Sequence, residues 1–312
     1  MILTVTINPA IDETVEIPSF AAGSVNRVAS IFRSPGGKGI NVASALADYG
    51  VEVSTTGFLG EDNDQLFKSH FSQKGIQDRF VRVSGLTRTG IKIIDPVDGL
   101  TTDINYPGLT PTAAEIEQLF ERVRETGKTA DWAVLTGSLP PGVRVTVYAE
   151  LIELLHGLGC KVALDTSGEP LRAAMASVPD LIKPNIHELE EFAGRSLASL
   201  AEISQEAGKL TAQGVAIVAV SMGERGALIQ DGTSAEIIHP LKVEVKSTVG
   251  AGDAMVAGIL AGLSRGMSIA EAGRLGAAFS STALSHTGPG IPGRKMVDDT
   301  LRMVRTESLS TE

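Results

Sequence analysis

Six short runs rich in Val, Ile and Thr punctuate this chain, with helical spacing between them, and no other feature narrows the possible folds as much. The runs are ILTVTI (2–7), VEVSTTGFL (51–59), WAVLTG (132–137), KVALDT (161–166), DLIKPN (180–185) and VAIVAVS (215–221). Near-continuous apolar runs of this length suit strands covered on both faces. Helical spacing occurs at 39–49, 63–73, 112–126, 145–157, 199–212, 251–265 and 268–284. In the 251–265 segment Val256, Ile259, Leu260 and Leu263 recur three and four residues apart, which predicts one buried stripe. Strands alternating with helices predict an α/β protein: a doubly wound, mostly parallel sheet with its ligand site at the carboxyl ends of the strands.

Two regions break the alternation. Residues 11–34 and 86–106 lack helical period; TGIKIID and TTDINY flank the turn-like DPVDG, so 89–106 reads as a β-hairpin. Short extra strands beside a parallel sheet predict a small β lid over its ligand edge. The closing TESLSTE reads as a frayed tail. A net charge of −10 argues against nucleic acid or an anionic membrane surface as partner, so an anionic ligand needs a local basic cluster. Cys160 is the only cysteine, which fits a reducing cytoplasm. The N-terminal MILTVTINPAID reads as a strand rather than a signal peptide, and no apolar run is long enough to span a bilayer.

The stretch STVGAGDAMVAG (247–258) is the strongest candidate for chemistry. It is not a dinucleotide fingerprint, because the residue three after Gly252 is Met255 and the loop comes late in the chain. Unhindered amides at Gly250 and Gly252 before a helix attract negative charge. A carboxylate at Asp253, just inside that helix, is out of place unless it acts. In SPGGKGINVASALADYG (34–50) the glycines allow close approach to backbone while Lys38 and Asn41 offer charge and hydrogen bonds; a tight turn with a solvated lysine is the equal alternative. Ser138 in TGSLPPG (136–142) falls at the carboxyl end of a strand, a weak signal beside Pro-Pro-Gly. Asn185 and Glu188 in KPNIHELEEFAG suit either a hydrated divalent cation or a helix-capping box, and the spacing by itself favours the box. Gly223 and Gly226 in SMGERGALIQDG admit a nucleotide or simply make the turn into a hairpin. Asp12, Arg27, Arg88 and Lys92 fall in the lid regions, and a cationic cluster there suits a sugar phosphate. The histidines show no metal-ligand spacing, and a nucleophile-elbow motif is absent.

In this order, NPAID (8–12), PGGKGINVA (35–43), GFLGEDN (57–63), TRTGIK (87–92), GSLPPG (137–142), KPNIHEL (183–189), SMGERGAL (221–228) and STVGAGDAMVAG (247–258) resemble the ribokinase-like superfamily of sugar kinases, in its phosphofructokinase-B branch. The resemblance runs from end to end and implies a single ribokinase-like kinase domain over 1–312, with the lid built from about 11–34 and 86–106.

By that resemblance Asp253 is the catalytic base, and the backbone of Gly250, Ala251 and Gly252 is the anion hole for the γ-phosphate of ATP. The helix start is expected to keep Asp253 ionised. Asp12, Gly36, Gly37, Lys38 and Asn41 would hold sugar hydroxyls, with Arg88 and Ser138 near the substrate's phosphate and Lys92 and Asn105 also binding substrate. Lys183, Asn185, Ser221, Gly223, Gly226 and Thr248 would line the ATP site, and Asn185 and Glu188 would organise water around Mg²⁺. The S-T-V-G-A-G-D loop, the T-R-x-x-[IV]-K pattern and Asn105 in TTDIN resemble members that phosphorylate fructose 1-phosphate. Arg27 in VNRV is equally at home in tagatose-6-phosphate kinases, and Gly90 stands where a larger residue is usual. The resemblance also implies a homodimer joined through the lid strands. Other readings are a 6-phosphofructokinase and a sugar-phosphate sensor without turnover.

Overall fold

A computed structural model describes residues 1–309. The main sheet runs in the order Gln77–Asp78, Val53–Gly60, Ile2–Thr6, Trp132–Thr136, Lys161–Asp165, Leu181–Ile182, Ile217–Ser221, Ala227–Gln230, Ala235–Ile238 and Thr306–Ser308, with Val81–Val83 also on Val53–Gly60. Pairing is parallel as far as Ile217–Ser221 and antiparallel in the last three strands. Successive side chains of one strand enter opposite cores, as their period of two requires. Ile2 belongs to the core layer that also holds helices Lys38–Asp48, Ala251–Leu263 and Ile269–Leu284, whereas Leu3 and Val5 belong to the layer of Ala113–Gly127, Val147–His156 and Leu200–Ala212. Both faces are therefore covered, as the alternation predicts. The ribokinase-like arrangement puts the carboxyl ends of the parallel strands on one edge, where Thr6, Thr136 and Asp165 stand in register.

A second sheet of four strands, ordered Ser30–Gly36, Ala10–Glu16, Thr89–Asp95 and Leu100–Asn105, projects from that edge. The expected hairpin is present, and its turn is tied down by Asp95, whose carboxylate accepts from the amides of Val97, Ser19 and Phe20. Strand register sorts the two faces. Asp12 is level with Ser34 and Gly90, and Gly90 with Asn105; one pleat along, Lys92 is level with Asp103. The opposite face carries Val15, Ile31, Ile91, Ile93 and Ile104.

Several expectations need correction. The DLIKPN strand is only Leu181–Ile182; Asn185 then bridges to Ser221 on its own. Within the closing segment Thr306–Ser308 pairs with Ala235–Ile238 as an edge strand instead of fraying, and residues 310–312 of that segment lie outside the described residues. The Ala251–Leu263 helix is not buried on one stripe: Asp253 through Gly262 are all buried, because helices Lys38–Asp48 and Ile269–Leu284 enclose it. Helices Gly168–Ala174 and Arg294–Leu301 were too short to show a period. No helix among the described residues is long and apolar enough to cross a membrane.

Candidate active site

The edge strand Ser30–Gly36 leads into helix Lys38–Asp48 through a single residue, Gly37, at φ 117°. A side chain is excluded there twice over, by the left-handed backbone and by Thr6, whose Cγ2 lies 2.9 Å from where a Cβ would stand. That turn delivers Lys38 and Asn41 to the floor of the site. Asn41 Nδ2 donates to Asp253 Oδ2 at 2.8 Å. Asp253 lies in the first turn of helix Ala251–Leu263, whose N-cap Gly250 is left-handed at φ 78° and which no side chain caps. The leading amides of that helix, at Ala251 and Gly252, therefore face the site without side-chain competition.

Below Asp253 sits Asp165, a buried carboxylate closing its strand. Lys38 Nζ donates to its Oδ1 at 3.3 Å, and Lys183 Nζ stands 3.6 Å from the same oxygen. Burial opposes the charge on Asp165, yet Lys183 and Lys38 outweigh it and hold the group below the usual carboxylate range. Lys38 is held above its ordinary value: burial works against it, and Asp165, Asp253 and Glu188 more than compensate. Asp253 moves the other way, to about 6, chiefly through burial and then through the neighbouring Asp165 charge, with Lys38, Asn41 and Lys183 offsetting part of the rise. Removal from water outweighs the helix start in setting this value.

A second constellation forms on the inner face of the projecting sheet. Asp12 is also raised to about 6, by burial first; Arg88 and Lys92 pull it down and Asp103 pushes it up. A Cβ at Gly36 would fall 2.3 Å from the Asp12 carboxylate, and one at Gly90 would meet Asn105 and Asp12 at 3.3 and 3.4 Å. Gly90 thus leaves the room in which Asp12 and Asn105 face each other. Arg88 donates to the carbonyls of Asn8, Pro9 and Tyr106, and Lys92 pairs with Asp103 at 2.6 Å. The approach to Arg88 is braced by GFLGEDN: Gly60 N donates to Thr87 Oγ1, and Asn63 exchanges two hydrogen bonds with the Thr87 backbone.

The remaining candidates line the strand ends. Ser138 accepts from Asn8 Nδ2 at 3.2 Å, on a turn held by Tyr148 and Thr166 through the Gly137 carbonyl. Asn185 and Glu188 form the capping box that their spacing favoured, with Glu188 N to Asn185 Oδ1 at 2.9 Å and Asn185 N to Glu188 Oε2 at 2.8 Å. Gly223 and Gly226 bracket a short 3₁₀ turn after Ser221; a Cβ at Gly226 would collide with the Ile238 carbonyl. Thr248 is exposed on the loop before Gly250. Arg27 is exposed on the loop between the first two strands of the projecting sheet. Among the described residues no group of three or more His, Cys, Asp or Glu side chains could by itself cage a metal. Asn185 and Glu188 do present the oxygen donors that a hydrated Mg²⁺ favours.

Two site residues escaped sequence reasoning. Asp165 offered only one signal, an aspartate at the carboxyl end of a strand-like run; Asn8 lay inside the quoted NPAID motif without being singled out. A cleft of about 360 Å³ opens between Phe32–Pro35, helix Gln65–Lys74 and His286–Pro289, and none of the candidate residues lines it. The carboxylate, the uncapped helix start and the lysines lie together elsewhere, and chemistry follows functional groups rather than empty volume.

Comparisons with known proteins bear on this arrangement. The sequence matches the pfkB family of carbohydrate kinases over residues 5–295. It is 43% identical over 309 residues to the 1-phosphofructokinase of Rhodobacter capsulatus, covering 99% of this chain and 98% of that protein. Against the 1-phosphofructokinase of Escherichia coli K12 the identity is 38% over 293 residues, 94% of each chain. The structure of the tetrameric inhibited form of phosphofructokinase-2 from Escherichia coli matches with a TM-score of 0.89 at 29% identity, over 97% of this chain and 98% of that one.

Proposed function

The chain belongs to the pfkB family of carbohydrate kinases, and from that footing we propose that it transfers the γ-phosphoryl group of ATP to the free primary hydroxyl of fructose 1-phosphate, giving fructose 1,6-bisphosphate. The substrate rests on the name shared by relatives that span nearly the whole chain. The mechanism rests on one observation: a buried carboxylate, Asp253, beside the uncapped start of a helix.

Phosphoryl transfer asks for positioning and charge neutralisation more than covalent chemistry. The backbone of Gly250, Ala251 and Gly252 receives the migrating phosphoryl group, with Lys38 and Lys183 adding positive charge nearby. As the acceptor oxygen bonds to phosphorus and the bond to ADP breaks, the hydroxyl proton passes to the Asp253 carboxylate. A group titrating near 6 is ionised at neutral pH and still basic enough for that role. Asp12, Gly36, Gly37, Lys38 and Asn41 hold the sugar hydroxyls; Arg88 and Ser138 attend its phosphate, and Lys92 and Asn105 also bind the substrate. Lys183, Ser221, Gly223, Gly226 and Thr248 line the nucleotide. Asn185 and Glu188 would hold Mg²⁺ through water, and the ion would supply positive charge against the nucleotide's phosphates. The projecting sheet acts as a lid that excludes water.

Two copies of the chain pair through that lid. Support comes from the apolar face of the sheet, where Ile31 is 56% and Ile104 43% exposed. Cys160 is a buried free thiol, which accords with a cytoplasmic enzyme.

Coupled ATP turnover on a panel of ketose phosphates tests the substrate. Fructose 1-phosphate is expected to give the highest kcat/KM; faster turnover of tagatose 6-phosphate or fructose 6-phosphate rejects the assignment. Asp253→Asn is expected to bind a non-hydrolysable ATP analogue within a few-fold of the parent while kcat falls by about 10³. A near-normal kcat discards Asp253 as the base.

A further inference from the structure

Asp165 is unused by the mechanism so far, yet it is the most completely enclosed charge in the site. It is 2% exposed, and one of its oxygens, Oδ1, is shared by two ammonium groups from distant parts of the chain. Lys38 opens the helix that follows the projecting sheet; Lys183 follows strand Leu181–Ile182 on the nucleotide side. Lys183 also passes beneath the anion hole, since a Cβ at Gly252 would lie 3.6 Å from its Nζ. The backbone holds the carboxylate in place from behind: Thr136 Oγ1 donates to the Asp165 carbonyl at 2.9 Å, and Gly137 N donates to the same carbonyl.

We propose that Asp165 is a positioning residue that clamps the Lys38 and Lys183 ammonium groups together across the floor of the site, joining its sugar half to its nucleotide half and setting the charge that Asp253 feels. The clamp rests on the kinase reading above. Without a counter-charge the two ammonium groups, Lys183 buried and Lys38 partly exposed, repel each other; Asp165 between them holds both aimed. The groups facing Asp253 are Lys38 and Asn41 from helix Lys38–Asp48, Asp165 from its strand and Lys183 beyond the next strand. Removing the Asp165 charge leaves Asp253 among cations only, and its proton is then held less tightly.

The experiment is steady-state kinetics of the parent, Asp165→Asn, and the double variant Asp165→Asn/Lys183→Gln, from about pH 5 to about pH 8. Absence of sugar-phosphate turnover in the parent sinks the kinase reading, independently of the clamp. Given parental turnover, Asp165→Asn is expected to move the acid limb of kcat down by roughly one pH unit, and to raise KM for ATP and for the sugar phosphate together. Titration of the substrates' own phosphates is common to all variants and cancels in the comparison. A merely structural role lowers kcat alike at every pH, and an unmoved limb overturns the proposal. If the single variant fails to fold, the double variant decides. Losing one charge of each sign should return the limb close to the parent's while affinity for a non-hydrolysable ATP analogue falls about ten-fold, and parental affinity there overturns the clamp.

Discussion

At the scale of single residues, the site holds two carboxyls, Asp12 and Asp253, that both titrate at about 6 because burial resists their charge. With Asp253 as the proposed base, the proton acceptor would be lost as pH falls, so kcat is expected to drop through about pH 6. The stability sign is the opposite. A carboxyl whose folded pKa exceeds its ordinary 3.8 binds its proton more tightly in the folded state. Its stabilising contribution is complete below 3.8 and is lost as pH rises through about 6. At neutral pH the ionised Asp253 thus costs the fold on the order of 3 kcal/mol. Asp253→Asn should accordingly melt a few degrees higher than the parent at pH 7 and show little gain at pH 4, which differential scanning calorimetry checks. Asp253, Lys38 and Asn41 were legible in the sequence because glycine motifs announce them. Asp165 was not, since its partner Lys38 is 127 positions away and nothing local marks a pairing that only the sheet creates.

Among the elements, the alternation of strands and helices was legible almost throughout, with boundaries mostly within a residue or two. Failures came where local signal is weakest. Leu181–Ile182 is too short for a pattern, and Thr306–Ser308 is a strand only because Ala235–Ile238 offers it an edge. The Ala251–Leu263 helix is more instructive. Val256, Ile259, Leu260 and Leu263 suggested one buried stripe, yet the small residues between them serve close crossing on other sides. A Cβ at Gly258 would lie 2.7 Å from Gly276 Cα in the neighbouring helix, and backbone cannot yield as a flexible side chain can. Gly258→Val is therefore expected to cost about 2–3 kcal/mol in urea denaturation and to disturb the anion hole at the same helix's start. Gly232→Ala, where a Cβ meets nothing within 4 Å, is the matched control and should be close to neutral.

For the molecule as a whole, the main sheet carries the nucleotide-side residues and the projecting sheet carries Asp12 and Asn105. The hairpin at 89–106 was readable from its alternation, whereas the pairing of Ala10–Glu16 with Thr89–Asp95 joins strands far apart in sequence. If a second copy covers the apolar face of that sheet, Ile104→Glu should convert a dimer into a monomer by light scattering and raise KM for the sugar phosphate. A dimer that survives the substitution places the interface elsewhere. The strand whose Gly36 abuts Asp12 becomes, one residue later, the helix whose Asn41 grips Asp253. Under the proposed function, a sugar held at Asp12 would be joined to the base by this one stretch of chain, so that the acceptor's arrival would reach the carboxylate along it.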